Sequence, residues 1–463
     1  MRSSAPAVVP RGRLRGTEAK PPNAARCNVA VDTAAPLCYY HAMSRPAEPP
    51  VVTPYAPGLG GHLASQAAEI SKVAAAMRER QISFLADLIA IRSYTGQEGE
   101  AVKRTLRELD AIGCDEVWQD SAGNAVGRIG NGRKLILYDA HLDTNEITDE
   151  REWPHPPLTP TIRDNVLYGL GASDCKAGVA SIVYGAAILK ALQLTGDFTL
   201  LVVGATLEED AEGFALRSLV ERDGVHPDVV LLAEATDLTL RRGQRGRCEV
   251  RVRTTGVAAH ASQPHLGESA LLRMLPVIEA LGQMGADLPR DPLFGQGTQV
   301  ATMISTPHTP NSVPSWCELT LDRRIVPGET RETVLKGLEA VVGPLGAGVE
   351  VPLQPVTTHT GLRLDGPSFY PGWLLPEDHA LLTAGKATCE TLWGATPPVD
   401  VWRFSTDGAY SAGAAGIPTL GFGPQEEQYV HTVQDQVDLT KLRKAAEFYA
   451  LFPLIYSLLD SNR

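Results

Sequence analysis

Apolar strand-like runs that end in acidic or histidine residues constrain the fold of this chain more than any other feature. Three such runs are followed within a few residues by side chains that can bind a cation. The runs are residues 134–138, 197–206 and 229–233, and the side chains are His141, Asp143, Glu208, Glu209 and Glu234. Helical patterns alternate with these runs. Buried strands alternating with helices predict an α/β fold whose central sheet is sandwiched by helices.

The carboxyl ends of the strands in such a sheet form the usual ligand-binding edge. Carboxylates that converge there repel one another unless a cation neutralises them. Asp174, in the loop before a helix predicted at 176–194, adds another carboxylate. A mixed set of histidine and carboxylate ligands suits zinc. Each residue alone is typical of a solvated loop, so the prediction of a metal site depends on the whole set.

The spacing within two of these segments suggests roles. In the His141-Leu-Asp143 segment the aspartate can accept the second ring N–H of the histidine, which fixes its orientation as a ligand. In the Glu208-Glu209 pair the adjacent side chains diverge. One can therefore bind metal while the other acts as a general base toward water.

The pattern changes near residue 244. A strand–helix–strand–strand–helix–strand order of about 110 residues predicts an inserted split-βαβ (ferredoxin-like) domain with antiparallel strands. We therefore predict a catalytic domain in two parts, 63–243 and 366–463, with a lid or dimerisation domain between them at 244–365. Residues 1–62, rich in Ala, Pro and Arg, are interpreted as a disordered tail, a transit peptide, or the product of a start codon placed upstream of Met43.

Charge and cysteine content exclude several classes. Because the net charge is −12, a nucleic-acid partner is not expected. The first 50 residues differ from the rest, since they hold seven basic and three acidic groups. The seven scattered cysteines contain no CxxC pair, which favours a reducing cytoplasm. No run of 18 apolar residues is evident, so no membrane span is predicted.

Five segments together resemble one enzyme family. They are residues 138–144 (YDAHLDT), 169–178 (GLGASDCKAG), 206–210 (TLEED), 233–236 (AEAT) and 429–432 (YVHT). Their order and content are similar to those of the acetylornithine deacetylase / succinyl-diaminopimelate desuccinylase family of dinuclear zinc peptidases and deacylases. Residues 93–98, 242–247, 321–324 and 404–408 most resemble the branch of that family labelled selenium-metabolism-linked hydrolase.

The resemblance implies a site with two Zn²⁺ ions, for which Co²⁺ or Mn²⁺ can substitute. By motif, His141 and Glu234 bind one ion, Glu209 and His431 bind the other, and Asp174 bridges them. The family typically has a cis peptide bond after the bridging aspartate. Cys175 stands where the family often has Met, and Ala233-Glu-Ala-Thr236 where it often has Gly-Glu-Pro-Thr; neither change removes a ligand.

The remaining roles are also implied by the resemblance. Asp143 orients His141, and Glu208 is the general base. His260 corresponds to a family histidine that reaches across a homodimer to stabilise the oxyanion of the partner's site.

The resemblance also implies two residues that contact substrate. Asn311 lies near the oxyanion, and Arg324 grips a substrate carboxylate, for which its planar fork is suited. Strand alternation sends the side chains of Arg324 and the neighbouring Arg323 to opposite faces, and Arg324 is favoured by its spacing from Asn311. Ser405 and Thr406 are expected on a loop near the pocket.

The predicted function is metal-dependent hydrolysis of the amide bond of an N-acyl amino acid or short peptide, with a small-molecule substrate and a homodimeric enzyme. The alternatives are an N-carbamoyl amino acid or allantoate amidohydrolase, an aminopeptidase of the same superfamily, and a non-enzymatic binding module. Glu234 counts against the first, because those relatives usually have a histidine there. Arg324 counts against the second, and retention of Glu208 counts against the third.

Overall fold

The structure is a computed structural model that describes residues 59–307 and 310–460. The described residues form eight α-helices. They are α1 (Leu59–Ala90), α2 (Gly99–Ala111), α3 (Ala177–Ala191), α4 (Phe214–Arg217), α5 (Ala270–Gln283), α6 (Arg331–Val342), α7 (Ala380–Trp393) and α8 (Leu439–Asp460). All but the short α4 correspond to helices predicted from the sequence. Helix α1 begins at Leu59, four residues before the predicted domain start at 63, and the rest of the predicted tail lies outside the described residues.

The strands alternate with these helices along the chain. Those before residue 246 are β1 (Glu116–Gln119), β2 (Ala125–Ile129), β3 (Lys134–His141), β4 (Thr161–Arg163), β5 (Val166–Tyr168), β6 (Phe198–Ala205), β7 (Val229–Leu232) and β8 (Leu240–Gln244). Those from 246 to 350 are β9 (Gly246–Thr255), β10 (Ala259–His260), β11 (Arg290–Asp291), β12 (Gly295–Gln296), β13 (Thr298–Ser305), β14 (Ser312–Val313), β15 (Trp316–Ile325) and β16 (Gly348–Glu350). The remainder are β17 (Leu353–Thr357), β18 (Arg363–Pro367), β19 (Phe369–Tyr370), β20 (Trp373–Leu374), β21 (Val399–Trp402), β22 (Thr419–Gly421) and β23 (Gln436–Asp438).

The central sheet is mixed and has nine strands. Its order is β1-β2-β6-β3-β7-β22-β8-β20, with β21 paired to β8. Strand β3 runs parallel to both β6 and β7, so the carboxyl ends of these three strands meet at one edge. Their side chains are almost entirely buried, which accounts for the continuous apolar runs in the sequence. The predicted α/β class is confirmed.

Helices pack on this sheet to form the larger of the two main cores. Tyr138 on β3 stacks edge-on against Tyr449 of α8, with ring centroids 4.7 Å apart, and its hydroxyl donates to the Tyr449 carbonyl. Gly178 near the start of α3 lies against the carbonyl of Ala233, where there is no room for a Cβ atom. This close approach brings the turn that contains Asp174 to the end of β7.

A second sheet has its own hydrophobic core. Its order is β13-β15-β9-β16, with β19 also paired to β9, and all its pairs are antiparallel. Helices α5 and α6 supply the apolar side chains Met274, Val277, Val334 and Leu338 to this core. The strand order is the one expected of a split-βαβ unit, in which the first strand lies between the third and the fourth.

Two neighbouring strand connections join the sheets. On the outward path β8 leads through Arg245 into β9. On the return path β19 pairs with β9 and β20 pairs with β8, so that Tyr370 lies opposite Arg247 and Trp373 opposite Gln244. We call these four strands the connecting ribbon. The Gln244 amide donates to the Ser405 hydroxyl at 3.2 Å, which fastens the ribbon to the loop after β21.

One helical stretch among the described residues, Ala172–Ala191, is long and apolar enough to cross a membrane by length and composition alone. It overlaps the helix predicted at 176–194. Of this stretch, 94% is buried inside the protein, as is usual for a core helix.

Candidate metal centre

The cluster of predicted ligands forms where β3, β6 and β7 end. His141 is the last residue of β3, Glu208 and Glu209 follow β6, and Glu234 follows β7. Asp174 lies in the turn before α3. Its peptide bond to Cys175 is cis, as the resemblance implied.

Asp174 lies at the middle of this cluster, between two histidines. Its Oδ1 is 3.0 Å from His141 Nε2, and its Oδ2 is 2.9 Å from His431 Nε2. His431 Nε2 is also 3.0 Å from Glu209 Oε2, and His141 Nε2 is 3.5 Å from Glu234 Oε1. The five predicted ligands therefore form two groups that share one carboxylate.

Glu208 lies beside the first group. Its Oε2 is 3.8 Å from His141 Nε2, whereas Glu209 turns toward His431. The two adjacent carboxylates thus point to different parts of the cluster, which is the divergence that their spacing predicts.

Asp143 contacts His141 through both its main chain and its carboxylate. The ring Nδ1 of His141 is 3.0 Å from the backbone carbonyl of Asp143 and 3.5 Å from its carboxylate. The carboxylate of Asp143 instead accepts the backbone N–H groups of Glu208 and Glu209, both at 3.1 Å, and the Thr95 hydroxyl at 2.9 Å. Asp143 therefore contacts the histidine most closely through its main chain, and its side chain holds the loop that carries Glu208 and Glu209.

Burial dominates the electrostatics of the carboxylates. It raises the pKa of Glu209 and of Glu234 to about 7, and that of Glu208 well above its usual range. Burial also acts to raise the pKa of Asp174, but hydrogen bonds with the two histidines outweigh it and lower that pKa. For His431, hydrogen bonds to Asp174 and Glu209 raise the pKa to about 10.

These donors fit a divalent metal pair. His141, Asp174 and Glu209 offer ligand atoms within 4.8 Å of one another, and His141, Cys175 and Glu234 do the same. Several carboxylates buried together favour a bound cation, because ionised carboxylates need a counter-charge there. Cys175 is a weaker donor, since its Sγ donates to the Ala233 carbonyl and burial raises the thiol pKa.

Asn145 is a neighbour of the cluster that the sequence reading missed. Its amide lies 2.9 Å from Glu209 Oε2 and 3.0 Å from His431 Nε2. No motif marks it, because an asparagine after the DAHLDT segment is as typical of a loop. Contact with both members of the second ligand group indicates that it orients them.

Two arginines from the second sheet face the cluster. Arg324 on β15 and Arg247 on β9 are direct cross-strand partners and line a cavity together with Glu208, Glu209 and Glu234. Arg323 is instead buried and bonded to Glu329 at 2.7 Å. The structure therefore places Arg324 at the cluster and Arg323 away from it. In the sequence, Arg247 belongs to the segment 242–247 that resembles the family branch, and no role is predicted for it.

His260 and Asn311 lie together in the segment that carries the second sheet, outside the cavities at the metal cluster. Strands β10 and β14 pair His260 with Ser312, and the Ala261 N–H donates to the Asn311 carbonyl at 2.8 Å. Both side chains are exposed. The Nδ1 of His260 accepts the Ser262 N–H at 3.1 Å, which leaves Nε2 free to donate. Ser405 lines the cavity that holds Arg247.

Comparison with known proteins identifies relatives over most of the chain. The profile of peptidase family M20/M25/M40 matches residues 137–454. An uncharacterized protein, YgeY, of Escherichia coli is 36% identical over 374 residues, covering 80% of this chain and 93% of its own. A succinyl-diaminopimelate desuccinylase of Acidiphilium cryptum (78% and 95% covered) and an acetylornithine deacetylase of Proteus mirabilis (80% and 93% covered) are each 26% identical.

Solved structures share the fold. The M20 metallo-carboxypeptidase Sso-CP2 of Sulfolobus solfataricus superposes with a TM-score of 0.66 at 15% identity, covering 82% of this chain and 99% of its own. The Bacillus subtilis protein YXEP, described as a dinuclear metal-binding peptidase, gives a TM-score of 0.61 at 16% identity, with 83% and 99% covered. At these identities the likeness concerns the fold alone.

Proposed function

The chain belongs to peptidase family M20/M25/M40, whose members are metal-dependent hydrolases of amide and peptide bonds, and from that premise we propose that it deacylates N-acyl amino acids or cleaves short peptides with two zinc ions. The position of Asp174 carries the proposal. Its two carboxylate oxygens lie against two different histidines, as a shared ligand requires.

The ligands would divide between two ions. His141 and Glu234 would hold one, Glu209 and His431 would hold the other, and Asp174 would be shared. Zinc is proposed because the set mixes imidazole and carboxylate donors, and Co²⁺ or Mn²⁺ are the expected substitutes.

A divalent pair, when bound, supplies Lewis acidity and lowers the pKa of water. Glu208 takes a proton from the attacking water as its oxygen bonds to the amide carbon, and it gives that proton to the leaving amine as the C–N bond breaks. Asp143 keeps Glu208 in place through the backbone hydrogen bond of the catalytic loop. Arg324 binds a carboxylate of the substrate.

A homodimer completes this site. His260 donates its Nε2–H to the developing oxyanion in the site of a second copy, and Asn311 lies beside it. The apolar face of the second domain supports a dimer. This face, called the dimer face below, consists of exposed residues of α5 and of the edge strand β13: Leu271, Leu272, Leu275, Ile278, Val300, Met303 and Ile304. A cytoplasmic location is proposed from the five free cysteines among the described residues.

An N-carbamoyl amino acid hydrolase is the second candidate. Such an enzyme would also use Glu208 to activate the attacking water and Arg324 to bind the substrate carboxylate. Glu234 at the end of β7 speaks for the N-acyl reaction, because the carbamoyl-cleaving relatives usually carry a histidine at this position.

The test pairs two adjacent carboxylates. We expect Glu208→Gln to lower turnover of N-acetyl amino acids by roughly 10²- to 10⁴-fold, the range for loss of a general base, with metal content unchanged. Glu209→Gln should lower the metal content itself. Metal analysis and hydrolysis assays on both variants and on chelator-treated enzyme distinguish the two roles.

Three results would count against the assignment. They are unchanged hydrolysis in Glu208→Gln, metal loss in Glu208→Gln equal to that in Glu209→Gln, and full activity after chelation. Hydrolysis of N-carbamoyl but not of N-acetyl, N-formyl or dipeptide substrates would favour the second candidate.

A further inference from the structure

Two cavities meet at the metal cluster, and Asp174, Glu209 and His431 line both of them. The first has a volume of about 440 Å³ and extends past Trp153; the second has about 230 Å³ and extends past Arg247. We call them the Trp153 pocket and the Arg247 pocket. A substrate whose scissile carbonyl lies at the cluster therefore extends its two ends into different surroundings.

The Arg247 pocket brings two cationic side chains to the metal cluster. Arg247 and Arg324 are direct cross-strand partners, so their side chains leave the sheet on the same face. Arg324 is held by Asp322 at 2.8 Å, and Arg247 is held by Glu212 at 2.9 Å. Apart from the proposed metal ligands, the charged side chains of this lining are the two arginines and the carboxylates Glu208 and Glu212.

Arg247 is positioned as a binding group. Its guanidinium stacks over the Tyr370 ring at 4.7 Å, which fixes its plane. Its buried Nε has no hydrogen-bond partner. A fixed, partly unpaired guanidinium beside Arg324 suits the planar oxygens of a carboxylate.

The Trp153 pocket has the opposite character. Ile147, Trp153, Leu170 and Val433 give it an apolar lining, and outside the metal cluster its charged side chains are Glu146 and Asp435. No lysine or arginine is among the described residues that line it. An anionic group placed there would lose its water shell beside carboxylates and gain no counter-charge.

We propose that the substrate carries one free carboxylate on its amine side, bound by Arg247 together with Arg324, and an uncharged, mainly apolar acyl group on its other side, in the Trp153 pocket. This inference rests on the proposed hydrolase function and narrows its substrate class. It excludes succinyl and other acidic acyl groups as good substrates.

The acyl side is tested with N-acetyl, N-pentanoyl and N-succinyl derivatives of one amino acid and the metal-loaded enzyme. We expect kcat/KM for N-pentanoyl to equal or exceed that for N-acetyl, and kcat/KM for N-succinyl to be lower by about 100-fold or more, since its second carboxylate finds no cation. Ile147→Arg should improve N-succinyl relative to N-pentanoyl by about 10-fold, and the uncharged control Ile147→Gln should not. N-succinyl as the better substrate of the unaltered enzyme would overturn this half.

The amine side is tested with Arg247→Gln on an N-acyl amino acid and on its carboxamide. We expect KM to rise roughly 10- to 100-fold for the carboxylate substrate, with kcat nearly unchanged and the carboxamide unaffected. Glu212→Gln breaks the same ion pair but keeps the guanidinium of Arg247. The KM of this variant should therefore stay within a few-fold of that of the unaltered enzyme. Arg253→Gln, on the same strand and outside the pocket, is the matched control.

The outcomes distinguish failure of this inference about the substrate from failure of the proposed hydrolase function. If Glu212→Gln reproduces the Arg247→Gln effect on both substrates, Arg247 is only a structural partner and the inference fails. If the metal-loaded enzyme hydrolyses no N-acyl amino acid or dipeptide at all, the proposed function fails instead.

Discussion

At the scale of single residues, Asp143 shows how a motif can name a residue but only part of its contacts. The His-x-Asp spacing predicts a carboxylate–imidazole bond. In the structure the main-chain carbonyl makes the closer contact with His141, and the carboxylate holds the loop of Glu208 and Glu209. Spacing along the chain fixes which residues are near, but the side-chain direction depends on a loop from another strand.

Asp120 offers a pH-dependent test of burial away from the metal ligands. It lies in the turn between β1 and β2 and accepts two hydrogen bonds from Asn124, at 2.8 and 2.7 Å. Burial nevertheless raises its pKa from 3.8 to about 6. In the unfolded chain the carboxyl ionises near pH 4, so between pH 4 and 6 the folded state binds more protons. The contribution of Asp120 to stability therefore falls as pH rises through this window.

Asp120→Asn removes this titration. We expect the stability of the variant relative to the unaltered protein to rise between pH 4 and pH 7, by an amount of up to about 3 kcal/mol, and to be flat above pH 7. Urea unfolding at several pH values measures the free energy of unfolding of both proteins. The contributions of the other titrating groups are common to both and cancel in the difference. A difference that does not change with pH would contradict the shifted pKa.

At the scale of secondary-structure elements, the long buried strands and amphipathic helices could be predicted from the sequence, and the short polar strands could not. Strands β3, β6 and β7 are continuous apolar runs and were recognised. Strand β8 reads Leu-Arg-Arg-Gly-Gln, and β20 has only two residues. Such segments become strands because a neighbour pairs with them, which no local pattern records. The ligand set was recognisable because each member directly follows a strong strand or belongs to a distinctive motif.

The contact between α3 and the end of β7 gives a prediction at this scale. A Cβ atom on Gly178 would lie 2.0 Å from the Ala233 carbonyl oxygen and 2.9 Å from Cys175 Sγ. Gly178→Ala should therefore destabilise the protein by about 1–3 kcal/mol, as overpacking does, and reduce activity through displacement of Glu234. Thermal unfolding and hydrolysis assays measure both effects.

The matched control for that change is Gly61→Ala in α1, where a Cβ atom would have no neighbour within 4 Å. There we expect a stability change within about 1 kcal/mol, in the stabilising direction given the helix propensity of alanine. Equal effects of the two substitutions would show that the approach of α3 to β7 is looser than described.

At the scale of the whole molecule, the metal cluster and two of the residues expected to serve it are separated. His260 and Asn311 are adjacent to each other on the second domain and do not line the cavities beside Asp174. The sequence named these residues through family resemblance, but whether they act in their own subunit or in a partner depends on assembly. A single chain's pattern carries no information on that point.

The dimer face supplies the corresponding prediction. Leu275 and Met303 are 58% and 66% exposed, and a charge at each should prevent a second copy from packing there. We expect the double variant Leu275→Arg, Met303→Arg to be monomeric in sedimentation and to lose about 100-fold or more in kcat, the effect of losing one oxyanion donor, with unchanged metal content. Leu353→Arg, at an exposed leucine on β17, is the control. A monomer with full turnover would refute the cross-subunit role of His260.

The connecting ribbon brings together the two places where the segment that carries the second sheet leaves and rejoins the central sheet. Chain entry and exit are neighbours there, since Gln244 lies opposite Trp373. A segment that leaves and returns at one point can be gained, lost or exchanged without re-threading the sheet that receives it. All five proposed metal ligands and Glu208 lie outside that segment, whereas Arg247, Arg324 and His260 lie within it. A gene encoding such a chain can therefore exchange Arg247, Arg324 and His260 as one segment, while the metal ligands, Glu208 and the Trp153 pocket are inherited unchanged.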